Sequence, residues 1–151
     1  MSPSSQIHPA YLETRFRQEQ PFSDWPENFA IITAFATTGE TWTAKQNESA
    51  DRSLEVELQA NGQWHLRLTG YSPTTGHAKP GWAVEMSSTD ACALGLRYLQ
   101  DAIYFVSGDE LRVILCNEPG SIFRSVASAR DCKTVPKTAL GKIRVKRNKT
   151  V

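Results

Sequence analysis

The chain has 151 residues, 40% hydrophobic and 22% charged, with a formal net charge of +1. That length supports one domain with a substantial core, and no apolar run is long enough to cross a bilayer as a helix. The near-neutral total hides an imbalance: residues 1–116 hold eight Lys/Arg against fourteen Asp/Glu, whereas residues 117–151 hold nine against two.

An acidic body therefore precedes a basic tail, and we divide the chain into an α+β domain at 1–116 and a weakly structured tail at 117–151. The polar first residues show no basic-then-apolar leader, which predicts no export. Cys92, Cys116 and Cys132 are odd in number and form no Cys-x-x-Cys pair. Free thiols in a reducing, cytoplasmic setting are the simplest reading.

His8-Pro9 opens a short helix, because proline suits the first helical position. Tyr11, Leu12 and Phe16 are read as its apolar face. Residues 21–26 are a break, with Trp25 pinned against the body. Residues 29–35 are the clearest strand, apolar on both alternating sets: Phe29, Ile31 and Phe35 on one, Ala30, Ile32 and Ala34 on the other. Such a strand is central and covered on both faces.

Residues 44–61 read as a helix with Ala50, Leu54 and Leu58 inward and Gly62 as its stop. Asn47 lies on the same stripe, so its amide needs a partner. Trp64, Leu66 and Leu68 alternate with polar residues, which predicts a half-exposed strand at a sheet edge. A Pro- and Gly-rich loop follows over 72–80, then a strand over 81–86. Ser87 with Asp90 has capping-box spacing, and the helix runs to about Leu99, with Ala91 and Gly95 small enough for close seating. Residues 102–106 and 111–116 form two strands around a turn at Gly108. Beyond Pro119-Gly120, residues 122–129 read as a short helix and 142–149 as a basic run.

This order suits a ferredoxin-like split βαββαβ sandwich, with an extra N-terminal helix and an added C-terminal edge strand. Three polar stretches then meet at one rim: residues 37–47, residues 71–80, and Gln100-Asp101. The opposite sheet face would carry Phe29, Ile31 and Phe35, together with Trp82 and Val84. That apolar face requires a cover. The N-terminal helix is the first choice, and a second copy of the chain, giving a homodimer, is the other.

The segments Ile31-Ile32-Thr33-Ala34-Phe35, Gly70-Tyr71-Ser72-Pro73, Gly76-His77, Pro80-Gly81-Trp82-Ala83, Ala91-Cys92-x-Leu94-Gly95 and Gln100-Asp101-Ala102-Ile103-Tyr104, with Asn47, Leu54 and Leu58, occur here in one order. On these the chain resembles a bacterial family catalogued as domain of unknown function 3293, from about Tyr11 to Cys116. Members often carry Asn-Pro where this chain has Ala36-Thr37, and close relatives an acidic residue where it has Lys79. The resemblance implies no activity and carries over no catalytic residue.

The candidate ligand-binding residues at the rim are Thr37, Thr38, Glu40, Asn47, Tyr71, His77, Gln100 and Asp101. Asn47 and Gln100 each offer a donor and an acceptor, and we favour a structural role for both. His77 is the general-base candidate, with Glu40 or Asp101 as its acid–base partner. The alternatives are an exposed loop histidine, a solvated Glu40, and an Asp101 that caps backbone N–H groups. A helix N-terminus beside Thr37, Thr38 and Asn47 would suit a small anion, but no Gly-rich phosphate motif supports it. The histidines share no metal-ligand spacing. The basic tail offers phosphate contacts, yet Phe123 is the only aromatic after Phe105, so stacking platforms are lacking and nucleic acid is disfavoured. The leading reading is a small cytosolic binding or interaction module taking a small polar or anionic ligand at the rim, with no cofactor, no metal and no membrane association. A small enzyme and a tail-driven nucleic-acid binder are the alternatives.

Overall fold

The computed structural model describes residues 7–20, 22–125 and Lys133. The elements are α1 (Pro9–Glu13), β1 (Arg15–Gln18), β2 (Asn28–Ile32), α2 (Ala44–Ala60), β3 (His65–Tyr71), β4 (Ala78–Val84), α3 (Ser88–Arg97), β5 (Ala102–Ser107), β6 (Glu110–Leu115) and β7 (Glu118–Arg124). The seven strands form one sheet in the order β1-β3-β4-β2-β5-β6-β7, and every neighbouring pair is antiparallel. This is an α+β protein with β2 at the centre, as its two-sided apolar pattern requires.

Two cores flank the sheet. Ala30, Ile32 and Ala34 pack with Leu54 and Leu58 of α2 and with Ala91, Cys92 and Leu94 of α3. Phe29 and Ile31 pack on the other face with Tyr11, Phe16, Leu68, Tyr104 and Val113, among others. Trp82 and Val84 belong to the helix-covered face, not the opposite one as expected. Register decides this: Ala30 faces Val84 and Ile32 faces Trp82, and directly paired residues project to the same side.

The N-terminal segment does cover the second face, but as a helix followed by a strand. Thr14 caps α1, its hydroxyl donating to Ala10 O at 2.7 Å, so Phe16 lies on β1. Residues 15–18 alternate exposed and buried and pair with the Leu68–Tyr71 end of β3. β3 is therefore not the sheet edge. Only its first residues, from His65 to Arg67, lack a partner on that side.

The Phe16 and Tyr104 rings meet edge-on with centroids 4.8 Å apart. They stand on β1 and β5, four positions apart in the sheet, which in a flat sheet is about 19 Å. The sheet must curl toward this face to join them. Gly70 and Gly81 sit on neighbouring strands at the bend. A Cβ at Gly70 would lie 3.0 Å from Phe16 Cε1, and one at Gly81 3.0 Å from Ile32 O. Strand glycines commonly mark such bends, because a side chain would block the approach.

The rear half of the Pro-rich loop is strand, since Ala78, Lys79 and Pro80 pair with Tyr71, Gly70 and Thr69. Pro80 is tolerated because its carbonyl faces Thr33, whose hydroxyl donates to it at 2.8 Å. Its missing N–H faces the same side, where pairing with β2 has ended beyond Ile32–Trp82. The sheet also continues past Cys116. Residues 122–124 belong to β7, not to the short helix expected there. Ile122 and Phe123 pair with Ile114 and Val113, a contact that local periodicity does not encode. Residues 126–129 of that expected helix, Cys132 and the basic run at 142–149 lie outside the described residues. No helix among the described residues is long and apolar enough to cross a membrane.

A candidate ligand cavity inside the curled sheet

β2 leaves the sheet at Ile32, and the chain then turns through Thr37 and Gly39 (φ +97°), with Glu40 N–H donating to Thr37 O at 3.0 Å. Three side chains from separate elements hold this exit. Asn47 of α2 accepts from Ala36 N–H at 2.8 Å. Lys79 of β4 donates from Nζ to Ala36 O at 2.7 Å. Gln100 donates from Nε2 to Phe35 O at 2.7 Å and to Tyr98 O at 3.0 Å. Both amides thus serve backbone groups, those of residues 35–36 and Tyr98, which is the structural role favoured for them.

Thr37 is buried and structural as well. Its hydroxyl pairs with Tyr11 Oη at 3.0 Å and accepts from Asp101 N–H at 3.2 Å. Tyr104 Oη donates to Tyr11 O at 2.9 Å, and burial holds the Tyr104 phenol well above the usual tyrosine range. These bonds tie α1 to the sheet. Asp101 does not cap its neighbours. It is itself capped by Thr37, and its carboxylate is exposed.

A cavity of about 440 Å³ opens where α1, the exit of β2 and the 72–77 loop surround the concave sheet face. Its floor includes Phe16, Ile31, Gly70, Gly81, Ala102 and Tyr104. Of the eight predicted site residues, Thr38, Glu40, Tyr71, His77 and Gln100 line it, whereas Thr37, Asn47 and Asp101 do not. The entrance of α2 is absent from the wall too. Its first turn is closed by a capping box, in which Thr43 accepts from Gln46 N–H at 3.1 Å and Gln46 Oε1 accepts from Thr43 N–H at 2.9 Å. The anion site expected at that helix end is therefore not part of the cavity.

The loop over 72–77 is a closed turn, Ser72 N–H donating to His77 O at 2.9 Å and Gly76 N–H to Ser72 O at 2.8 Å. His77 is exposed on it, and its backbone N–H is held by Thr75 Oγ1 at 3.2 Å. Its imidazole makes no hydrogen bond among the described residues. Glu40 shares the cavity wall with it, and Asp101 does not.

Several wall residues were not read as site residues from sequence. His8 caps α1, its Nδ1 accepting from Ala10 N–H at 3.1 Å. Glu13 stands exposed at the end of α1. Lys79 is the most consequential. It lies half-buried on the cavity wall and forms no ion pair with any described carboxylate. Burial alone pushes its ammonium below the ordinary lysine value. Register places it there: Lys79, Gly81 and Ala83 alternate along one face of β4, and Ala83 is in the concave core.

Elsewhere, ion pairs join separate elements. Arg67 makes a two-pronged bridge to Asp51 at 2.7 and 2.9 Å, and its guanidinium stacks 3.8 Å from the Trp82 ring centroid. Trp82 Nε1 donates to the same Asp51 at 3.2 Å. Glu57 bridges Arg97 and accepts from Tyr98 Oη at 3.0 Å. No cluster of three or more His, Cys, Asp or Glu suited to a metal ion forms among the described residues.

Fold and cavity together define an α+β protein with one curled antiparallel sheet whose concave face opens at one end. Residues 32–103 match a family described as protein of unknown function (DUF3293). The match runs from the end of β2 into β5. It contains the β2 exit, the 72–77 loop and Lys79, but not α1, β1 or Tyr104, which complete the cavity. No curated protein and no solved structure matches the chain.

Proposed function

We propose that the chain is a small cytosolic binding module that holds a small molecule in the concave cavity, without turnover. The observation that carries this reading is the cavity itself. Its volume of about 440 Å³ falls in the range of small-molecule sites, about 300–1,000 Å³. An apolar floor and a polar mouth suit a ligand with an apolar body and a few polar groups. Binding is preferred to catalysis because His77 has no hydrogen-bonded carboxylate or hydroxyl among the described residues to orient or activate its ring.

The same reading takes the inner strands β3-β4-β2-β5, with α2 and α3 on one face, as the ferredoxin-like split crossover. α1 with β1 and β6 with β7 are then additions at its two edges. The buried free thiols of Cys92 and Cys116 are at home in a reducing cytosol.

The test is a thermal-shift screen of metabolites with apolar bodies, repeated on Thr38→Trp. Thr38 is half-buried on the cavity wall, and an indole there would obstruct it. Hits that stabilise the wild-type protein and lose their effect in a folded Thr38→Trp support the cavity. Hits that are indifferent to Thr38→Trp place binding elsewhere and overturn the reading.

A further inference from the structure

Lys79 is the feature of the cavity that the fold does not explain. Its ammonium carries three donors, and one is used by Ala36 O at 2.7 Å. The other two have no partner among the described residues. Buried charges are ordinarily paired, and the part-buried Arg67 on the neighbouring strand β3 is, meeting Asp51 at 2.7 Å.

Register places the lysine inside the bend. Lys79 pairs with Gly70 on β3, and Gly70 pairs with Phe16 on β1. With no side chain at Gly70, the Phe16 ring lies over that position, 3.0 Å from where a Cβ would stand, and Phe16, Gly70 and Lys79 all line the cavity. The apolar floor at Ile31, Ala102 and Tyr104 adjoins it.

Resting on the cavity reading, we infer that the ligand is a monocarboxylate with an apolar body, its carboxylate meeting the Lys79 ammonium and its body lying over Phe16, Ile31 and Tyr104. A single ammonium matches a single negative charge. Glu13 and Glu40, both exposed at the mouth, disfavour a phosphate dianion or a second carboxylate. The lowered lysine pKa agrees with a cation lacking a counter-charge.

The experiment compares 2-naphthoate with its neutral isostere 2-naphthamide, by calorimetry at neutral pH and low salt, on the wild-type protein, Lys79→Met and Lys79→Arg. The wild-type protein should bind the carboxylate about tenfold or more tightly than the amide, the scale of a charge-assisted hydrogen bond. That preference should vanish in Lys79→Met, with amide binding retained as proof of an intact cavity, and should persist in Lys79→Arg. Equal affinities in the wild-type protein overturn the carboxylate inference and leave the cavity reading standing; this comparison needs no variant to fold. A preference unchanged in Lys79→Met overturns it as well. Failure of both probes to bind overturns the inference together with the cavity reading.

Discussion

Gly95 of α3 offers a direct test of how closely that helix sits on the sheet. A Cβ built on Gly95 would lie 2.7 Å from Cys116 Sγ and 2.9 Å from Ile103 Cγ2. Ordinary packing distances are about 3.5–4.0 Å, so each neighbour would have to retreat by about 1 Å. Neither has room, since Ile103 is 1% exposed and Cys116 2%. Overpacking of this kind costs about 1–3 kcal/mol, while alanine gains about 1 kcal/mol over glycine in a helix. Gly95→Ala should therefore destabilise by up to about 2 kcal/mol net. At about 2–4 °C per kcal/mol for a chain of this size, Tm falls by up to roughly 8 °C. Urea unfolding should show the same loss in midpoint with an unchanged slope. Adding Cys116→Ala removes one of the two clashes, so the double variant should lose less than the sum of the singles. A Tm that rises by the amount of the helix propensity alone would refute the close seating of α3.

Three further outcomes are expected. Leu99 ends α3 in the left-handed region at φ +61° with 65% of its surface exposed; its N–H donates to Leu96 O and that of Gln100 to Gly95 O, the bonding of a Schellman cap that normally takes glycine. Leu99→Gly should leave stability unchanged or raise it by up to about 1 kcal/mol, read as a higher urea midpoint. Asp51→Asn should cost about 2–3 kcal/mol in chemical unfolding, because it strips the charge partner of Arg67 and weakens the acceptor of Trp82 Nε1. Burial first, then Cys92 and Asp101, push the Cys116 thiol up to about 12 from an ordinary 9.0. Because the folded pKa lies above the unfolded one, stability is fully present below pH 9 and is lost as pH rises toward 12. Cys116→Ala should flatten that alkaline decline in pH-dependent urea midpoints.

Much of the fold was legible where local pattern and burial coincide. The two-sided apolar run around Ile31 announced a central strand, and β2 is central. Ser87, Gly62 and Gly108 marked element ends because capping and positive φ are local chemistry. Asn47 was legible as a polar group on an apolar stripe that required a partner. β1 and β7 were not legible. Both are short edge strands that exist by pairing with Leu68–Tyr71 and with Arg112–Leu115, and neither has enough alternation of its own to declare itself.

The candidate site divides in the same way. Loop chemistry pointed to Thr38, Glu40, Tyr71 and His77, and Gln100 joins them on the cavity wall. Thr37 and Asn47 were placed at the right joint but face inward as structural ties. The role of Lys79 was hidden, because a lysine between alanine and proline in a polar stretch reads as solvated surface. What exposes it is the register Phe16–Gly70–Lys79, and register is a relation between strands.

From sequence alone came the types of the elements from β2 to β6, the central strand, the two-faced core and the polar rim, because hydrophobic periodicity and capping act within a few residues. Tertiary structure alone decided the curl of the sheet and the cavity it encloses. A bend brings Phe16 onto Tyr104 only when glycines on adjacent strands come into line, and no single segment carries that information.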